Sequence, residues 1–247
     1  MIDIIAGAAI GLIWGSFLGV VKFRLDDPKS IFWGRSRCPK CKRTLGVFDL
    51  IPIISFLILR GRCRYCKKPI TPLYLIIEIL SAVLAVAVYT VCGLNLTAIF
   101  LYFSLSFLLV ASLSDIANQE VDVAFFIIGI ATGIIFKILS NASFENIIYG
   151  AITFAIIPLL LYLISREKWM GLGDTFFALW AGVLVGFPQS LLMIFIAFFL
   201  GAVFGIIKLL LGVSSHRIAF GPFLALSGVL GVFWSRIILD CYLNIFY

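Results

Sequence analysis

Six cysteines occur in this 247-residue chain, and four of them are spaced to hold a metal. Cys38-Pro-Lys-Cys41 and Cys63-Arg-Tyr-Cys66 are two pairs separated by 21 residues. Two intervening residues let both thiolates of a pair reach one ion, and two such pairs complete a tetrahedral zinc site. With cysteine at all four positions no coordination place stays open, so the expected metal is structural. Pairing into two disulfides is the alternative, and a reducing cytosol disfavours it. Cys92 and Cys241 fall in apolar runs and read as small buried hydrophobes.

Two aspartates form the second constellation. Asp115 follows Ser112-Leu113-Ser114, and Asp174 follows Gly171-Leu172-Gly173. Ionisable residues in or beside membrane helices are costly and are usually functional. Taken singly, each has a plain structural role, as a charge at a helix end or as an N-cap. As a pair in a low-dielectric site they cannot both ionise easily, which leaves an acid beside a base. A water between them can be deprotonated as it attacks a peptide carbonyl. The protonated partner can stabilise the oxyanion and later help protonate the leaving amine. That is aspartic protease chemistry. The single histidine, His216, excludes a multi-histidine catalytic metal site, and no serine nucleophile elbow or phosphate loop occurs.

The elements that must position these groups follow from composition. Apolar residues make up 63% of the chain and charged residues 13%, against about 45–50% and about 25% in soluble domains. A soluble enzyme and a disordered chain are both excluded. The runs are continuous rather than alternating, which excludes a transmembrane β-barrel. At about 20 residues per crossing there is room for about eight helices. The runs place them near 2–21, 73–92, 96–114, 123–139, 146–165, 174–187, 189–211 and 219–243. Pro188 divides the stretch 174–211, which is either two spans with a tight turn or one broken span. The expected fold is an all-α polytopic membrane protein with about eight transmembrane helices. A small cytoplasmic zinc-binding module joins the first two. The corresponding division is 1–21 for the first helix, 22–72 for the module and 73–247 for a membrane aspartic protease core. No internal repeat or low-complexity tract is evident. The first run lacks a basic n-region and a clear cleavage site, so it reads as a helix rather than a signal peptide. Gly7, Gly11, Gly15 and Gly19 share one of its faces, as a close-packing seam would.

Charge fixes the orientation. Of 19 Lys and Arg residues, 13 lie between Lys22 and Lys68, against three acidic residues there. Beside a membrane span this is the mark of a cytoplasmic loop, and nucleic acid is not an expected partner. The same charge suits contact with anionic headgroups. With this loop inside, the break 166–173 and the break holding His216 and Arg217 are also inside. Asp115, at the end of the third helix, and Asp174, at the start of the sixth, then meet at one membrane face.

Ordered motifs along the whole chain resemble those of the prepilin peptidases, the bifunctional leader peptidase/N-methyltransferases of bacterial type IV pilus, type II secretion and competence systems. Gly15-Ser-Phe-Leu-Gly-Val-Val21 with Phe23-Arg-Leu25 resembles GSFLNVV…RL. Asp49-Leu-Ile-Pro-Ile-Ile-Ser55 resembles DLIPxxS, and Leu59-Arg-Gly-Arg-Cys63 resembles LRGRC. Tyr74 and Glu78 match the Y-P-x-V-E segment. Gly171-Leu-Gly-Asp174 is the GxGD signature, and Phe220-Gly-Pro-Phe-Leu-Ala225 resembles FGPFLA. The resemblance implies that Asp115 and Asp174 are the catalytic pair. The family commonly has Pro-Asp some seven residues after its first aspartate. Here that place reads Glu120-Val121-Asp122-Val123, so Asp122 is a rival to Asp115. The resemblance further implies type IV prepilin or pseudopilin substrates with a basic leader, a Gly before the cut and a Phe-led hydrophobic helix. Cleavage is then at the cytoplasmic face of the bacterial inner membrane. N-methylation of the new terminus by S-adenosylmethionine follows, with no donor site visible in the residues themselves. The cysteine module fits the bifunctional branch, since archaeal and short relatives lack it. Two other classes fit less well. An ion-coupled transporter would use Asp115, Asp174 and Glu78 as pathway carboxylates, and a noncatalytic zinc-stabilised scaffold would use none.

Overall fold

Each long apolar run forms a helix, because a backbone in lipid must satisfy its own hydrogen bonds. The structure is a computed structural model that describes residues 2–24, 36–212 and 218–246, with side chains from Asp3 as far as Trp234. His216, Arg217 and the Cys241 side chain lie outside the described residues. Eight long helices are present among the described residues: α1 (Ile2–Arg24), α3 (Leu73–Cys92), α4 (Leu96–Asn118), α5 (Val123–Leu139), α6 (Phe144–Ser165), α7 (Leu172–Val185), α8 (Gln189–Leu210) and α9 (Gly221–Phe246). A 3-10 turn at Val47–Asp49 and the five-residue α2 (Ile54–Ile58) lie between α1 and α3. Among the described residues five helices are long and apolar enough to cross a membrane, while α5 and α7 are shorter. The protein is a multi-pass membrane protein.

Breakers set the boundaries. Gly93 at φ +74 ends α3, and Asp122 caps α5 by accepting from the Ala124 amide. The stretch 174–211 is two helices, separated where Gly186 takes φ +81 ahead of Pro188. Helix α4 continues past Ser114 to Asn118, so Asp115 sits within its last turn rather than after it. Cys92 is the last residue of α3 and is only half-buried, because a helix end leaves it partly uncovered.

The chain divides into two units, Met1–Tyr102 and Phe103–Tyr247. In the first, α1 packs along α3. The expected glycine seam is the contact. A Cβ on Gly11 would lie 2.5 Å from the Ala82 Cα, and one on Gly15 would lie 2.9 Å from the Glu78 Cα. Backbones this close leave room only for hydrogen atoms. Ser81 donates to the Gly11 carbonyl at 2.9 Å and pairs with the Tyr102 hydroxyl at 2.7 Å. In the second unit α7 packs against α5, α6, α8 and α9. Its Trp180 is fully buried and donates to Ser104, which donates to the Gly129 carbonyl.

Contrary to the expectation from sequence, residues 36–72 contain a repeat. The Cys38 amide donates to the Arg43 carbonyl, and the Lys42 amide to the Cys38 carbonyl. A shift of 25 residues gives Cys63 to Lys68 and Lys67 to Cys63. The bridges Arg37–Thr44 and Arg62–Pro69 close the two turns in the same way. Its trace in the chain is Arg-Cys-x-x-Cys-Lys at residues 37–42 and 62–67, too short to register as a repeat.

Candidate active site and metal centre

The two turns bring the four cysteines together. Their sulfurs all lie within 4.8 Å of one another, and none is in a disulfide. The Cys38 and Cys66 sulfurs are 3.9 Å apart. A tetrahedral ion about 2.3 Å from each sulfur sets neighbouring sulfurs about 3.8 Å apart. The donor set therefore fits one four-coordinate ion. Burial works against ionising Cys38. Backbone hydrogen bonds from Cys41 and Lys40, with the neighbouring thiols, outweigh it and bring the Cys38 thiol from 9.0 down to about 7. A thiolate is the form that binds metal. Arg64 pairs with the Asp49 carboxylate, which also accepts the Gly46 amide at 3.0 Å.

Asp115, in the last turn of α4, and Asp174, in the first turn of α7, line one cavity of about 700 Å³. Both carboxylates are half-buried, and the charge of Asp115 acts on Asp174. One Asp174 oxygen accepts the Gly171 amide at 3.1 Å. The side chain thus closes the start of α7 from the third helical position, and Gly171 occupies the N-cap. Asp115 Oδ2 is buried and has no hydrogen-bond partner among the described residues. A buried acceptor without a partner is costly and calls for an explanation, a catalytic role or a bound water among them.

Gly221, which opens α9, faces both carboxylates with its backbone amide. A Cβ there would lie 2.4 Å from a Phe177 ring carbon and 2.7 Å from Asp115 Oδ2. The sequence alone does not reveal this role, since it depends on a distance between helices. The cavity wall is apolar at Phe126, Phe177, Phe198 and Phe220, while Glu120 and Glu167 add acidity and Lys168 one positive charge. Asp122 is exposed, spends its carboxylate on the α5 cap and does not line the cavity. Glu78, in the first unit, is buried and accepts the Ile53 amide at 2.8 Å.

Residues 9–92 match the Bacterial Peptidase A24 N-terminal domain, and residues 102–206 match the Type IV leader peptidase family. A "Prepilin leader peptidase/N-methyltransferase" of Aeromonas hydrophila is 30% identical, covering 95% of this chain and 92% of its own. A protein of the same name from Myxococcus xanthus is 29% identical over 81% of this chain, and the match spans only 62% of that relative's length. The "Type 4 prepilin-like proteins leader peptide-processing enzyme" of Escherichia coli is 29% identical over 90% of this chain and 91% of its own. No solved structure matches the chain. Helices long and apolar enough to cross a membrane, with the leader peptidase match, make this a multi-pass membrane peptidase. The chain belongs to the type IV leader peptidase family.

Proposed function

We propose that the chain removes the basic leader from type IV prepilins and pilin-like precursors at the cytoplasmic face of the inner membrane, then N-methylates the new N-terminus. The carrying observation is the convergence of Asp115 and Asp174 on one cavity. The pair shares a proton. One carboxylate takes a proton from water as the water attacks the scissile carbonyl, and the other donates to the oxyanion. Asp115 Oδ2, buried and lacking a partner, is the oxygen whose acceptor positions are unspent. Asp174 is oriented by the Gly171 amide, which donates to one of its oxygens. The four phenylalanines suit a Phe-led helix on one side of the cut, and Glu120 and Glu167 suit a basic leader on the other. Asp122 is committed to a helix cap, which favours Asp115 as the partner of Asp174.

The metal is zinc, held by Cys38, Cys41, Cys63 and Cys66, with a structural role only. With all four coordination places taken by thiolates, it cross-links the two turns of a 22–72 module and offers substrate nothing. The protease core is 73–247. Methyl transfer with S-adenosylmethionine as donor rests on the family relation, and we assign no side chain to the donor. The positive residues between 22 and 68 support a cytoplasmic module, and Arg166 and Lys168 in the break 166–173 support the same face for the start of α7.

The test is mass spectrometry of a co-expressed prepilin N-terminus, which reports both the cut and the added methyl group. Asp115→Asn and Asp174→Asn should each lower cleavage by about a thousandfold or more while the protein stays membrane-inserted, since an amide cannot exchange the proton. Asp122→Asn should cleave at close to the native rate. Cleavage retained in Asp115→Asn and lost in Asp122→Asn would transfer the role to Asp122.

A further inference from the structure

Helix α2 is built inside out for a segment in water. Ile54, Leu57 and Ile58 recur at i, i+3 and i+4 and so share one face. That face points away from the unit: Leu57 is 63% exposed and Ile58 72% exposed. Phe48, in the preceding 3-10 turn, is 76% exposed. Phe56 turns the other way and packs on Gly61, where an added Cβ would lie 3.0 Å from its ring. The outward apolar face is thus a separate surface from the module's own packing.

Its level is fixed by Glu78. That carboxylate holds the amide of Ile53, the residue immediately before α2. Glu78 lies five residues into α3, about 7.5 Å along the axis from its start at a rise of 1.5 Å per residue. Helix α2 therefore starts beside the second turn of a membrane-spanning helix, at interfacial depth. Directly after it the chain turns basic. Arg60, Arg62 and Lys67, with Ile58, Leu59 and the candidate metal ligand Cys63, line an open cavity of about 390 Å³. From residue 36 to residue 72 there are nine basic residues and one acidic residue, Asp49, and Asp49 is already paired with Arg64.

We propose that this surface is an anionic phospholipid site. The phosphate of the headgroup sits among Arg60, Arg62 and Lys67, and its acyl chains lie along Ile54, Leu57 and Ile58. Apolar side chains at interfacial depth with cations just above them are the arrangement that binds acidic lipid at a membrane surface. An aqueous protein partner would meet a face that bilayer already covers.

The test uses the full chain, metal content verified, in neutral detergent with an equimolar mixture of phosphatidylglycerol and phosphatidylcholine. Native mass spectrometry counts the lipid retained. Phosphatidylglycerol should be retained preferentially, and Arg60→Gln and Lys67→Gln should each weaken that preference about fivefold. Amides 54–60 should exchange hydrogen more slowly in phosphatidylglycerol nanodiscs than in phosphatidylcholine ones, and Ile58→Ser should reduce that protection. Equal retention of the two lipids by the native chain would overturn the proposal, and this comparison needs no variant to fold. Displacement of phosphatidylglycerol by millimolar inorganic phosphate would assign the cavity to free phosphate and overturn the lipid source. Protection that appears only with an added apolar prepilin helix, equally in both lipids, would assign the face to a protein and also overturn it.

Discussion

The cysteine module and the aspartate cavity hold their reactive groups by opposite means. Among the described residues 36–72 only Cys38 and Cys63 are buried. The ligands are the core there, and local turns with backbone hydrogen bonds do the rest. Around the cavity, the core consists of residues that have no part in the chemistry, such as Phe154, Trp180 and Leu184 on α6 and α7. The aspartates stand at the edge of that core. The candidate ligands and the core are therefore the same residues in one region, and the cavity carboxylates and the core are different residues in the other.

The largest expected effect breaks the module alone. Structural zinc can supply on the order of 10 kcal/mol to a small domain. A variant with serine at Cys38, Cys41, Cys63 and Cys66 should lose its metal by elemental analysis, and amides 36–72 should lose hydrogen-exchange protection. The helices α5 to α8 should keep theirs. A four-serine chain that kept stoichiometric zinc would refute the ligand assignment.

The next effect falls where the cavity meets its core. Gly221→Ala puts a methyl group against Phe177 and Asp115. Moving a catalytic group by about 1 Å can cost about a hundredfold. Leader removal should fall by about 10- to 100-fold, with a loss of about 1–3 kcal/mol of stability from overpacking against buried Phe177. Unchanged turnover would show that the α9 start yields freely and does not set the carboxylate geometry.

Acid separates the regions in a third way. The metal-free fold favours ionised Cys38, whose thiol lies at about 7 instead of 9.0. A lowered pKa contributes stability that is complete above the unfolded value and drains away as pH falls through the folded one. Zinc affinity should therefore drop steeply as pH is lowered past about 7, because the ligands must be deprotonated. Competition against a chelator across pH 6 to 9 reads this directly, and a flat profile over that range would contradict it. The smallest effect is Lys42→Gly. Lys42 is exposed and takes φ +59, a conformation glycine adopts without strain. Metal retention against chelator should improve by about 1 kcal/mol or less.

Much of this was legible in the residues, for reasons that differ by region. The helices at 73–92 and 123–139 have the bounds that the apolar runs suggest, since Gly93, Asp122 and Ser140 end them chemically. The last turn of α4 was not legible, because Asp115 interrupts the apolar run and Asn118-Gln119-Glu120 follows closely, so the turn reads as the start of a loop while its backbone still hydrogen-bonds as helix. The CxxC spacing carries the metal site because each turn is local. The contact of Gly221 with Asp115 spans 106 positions in the chain, and no local pattern encodes it. Helix α2 escaped notice because five residues are too few to show a period.

The two cysteine turns are related by a shift of 25 residues in donors, acceptors and the sign of φ at Lys42 and Lys67. The coordination shell is thus invariant under exchange of its halves. A chimera with residues 37–44 and 62–69 swapped presents the same four sulfurs on the same two scaffolds. The rest of the shell differs between the halves, with Arg64 held by Asp49 on one side only. Such a permutation would leave the ion's own surroundings alone and transpose only what is built around them.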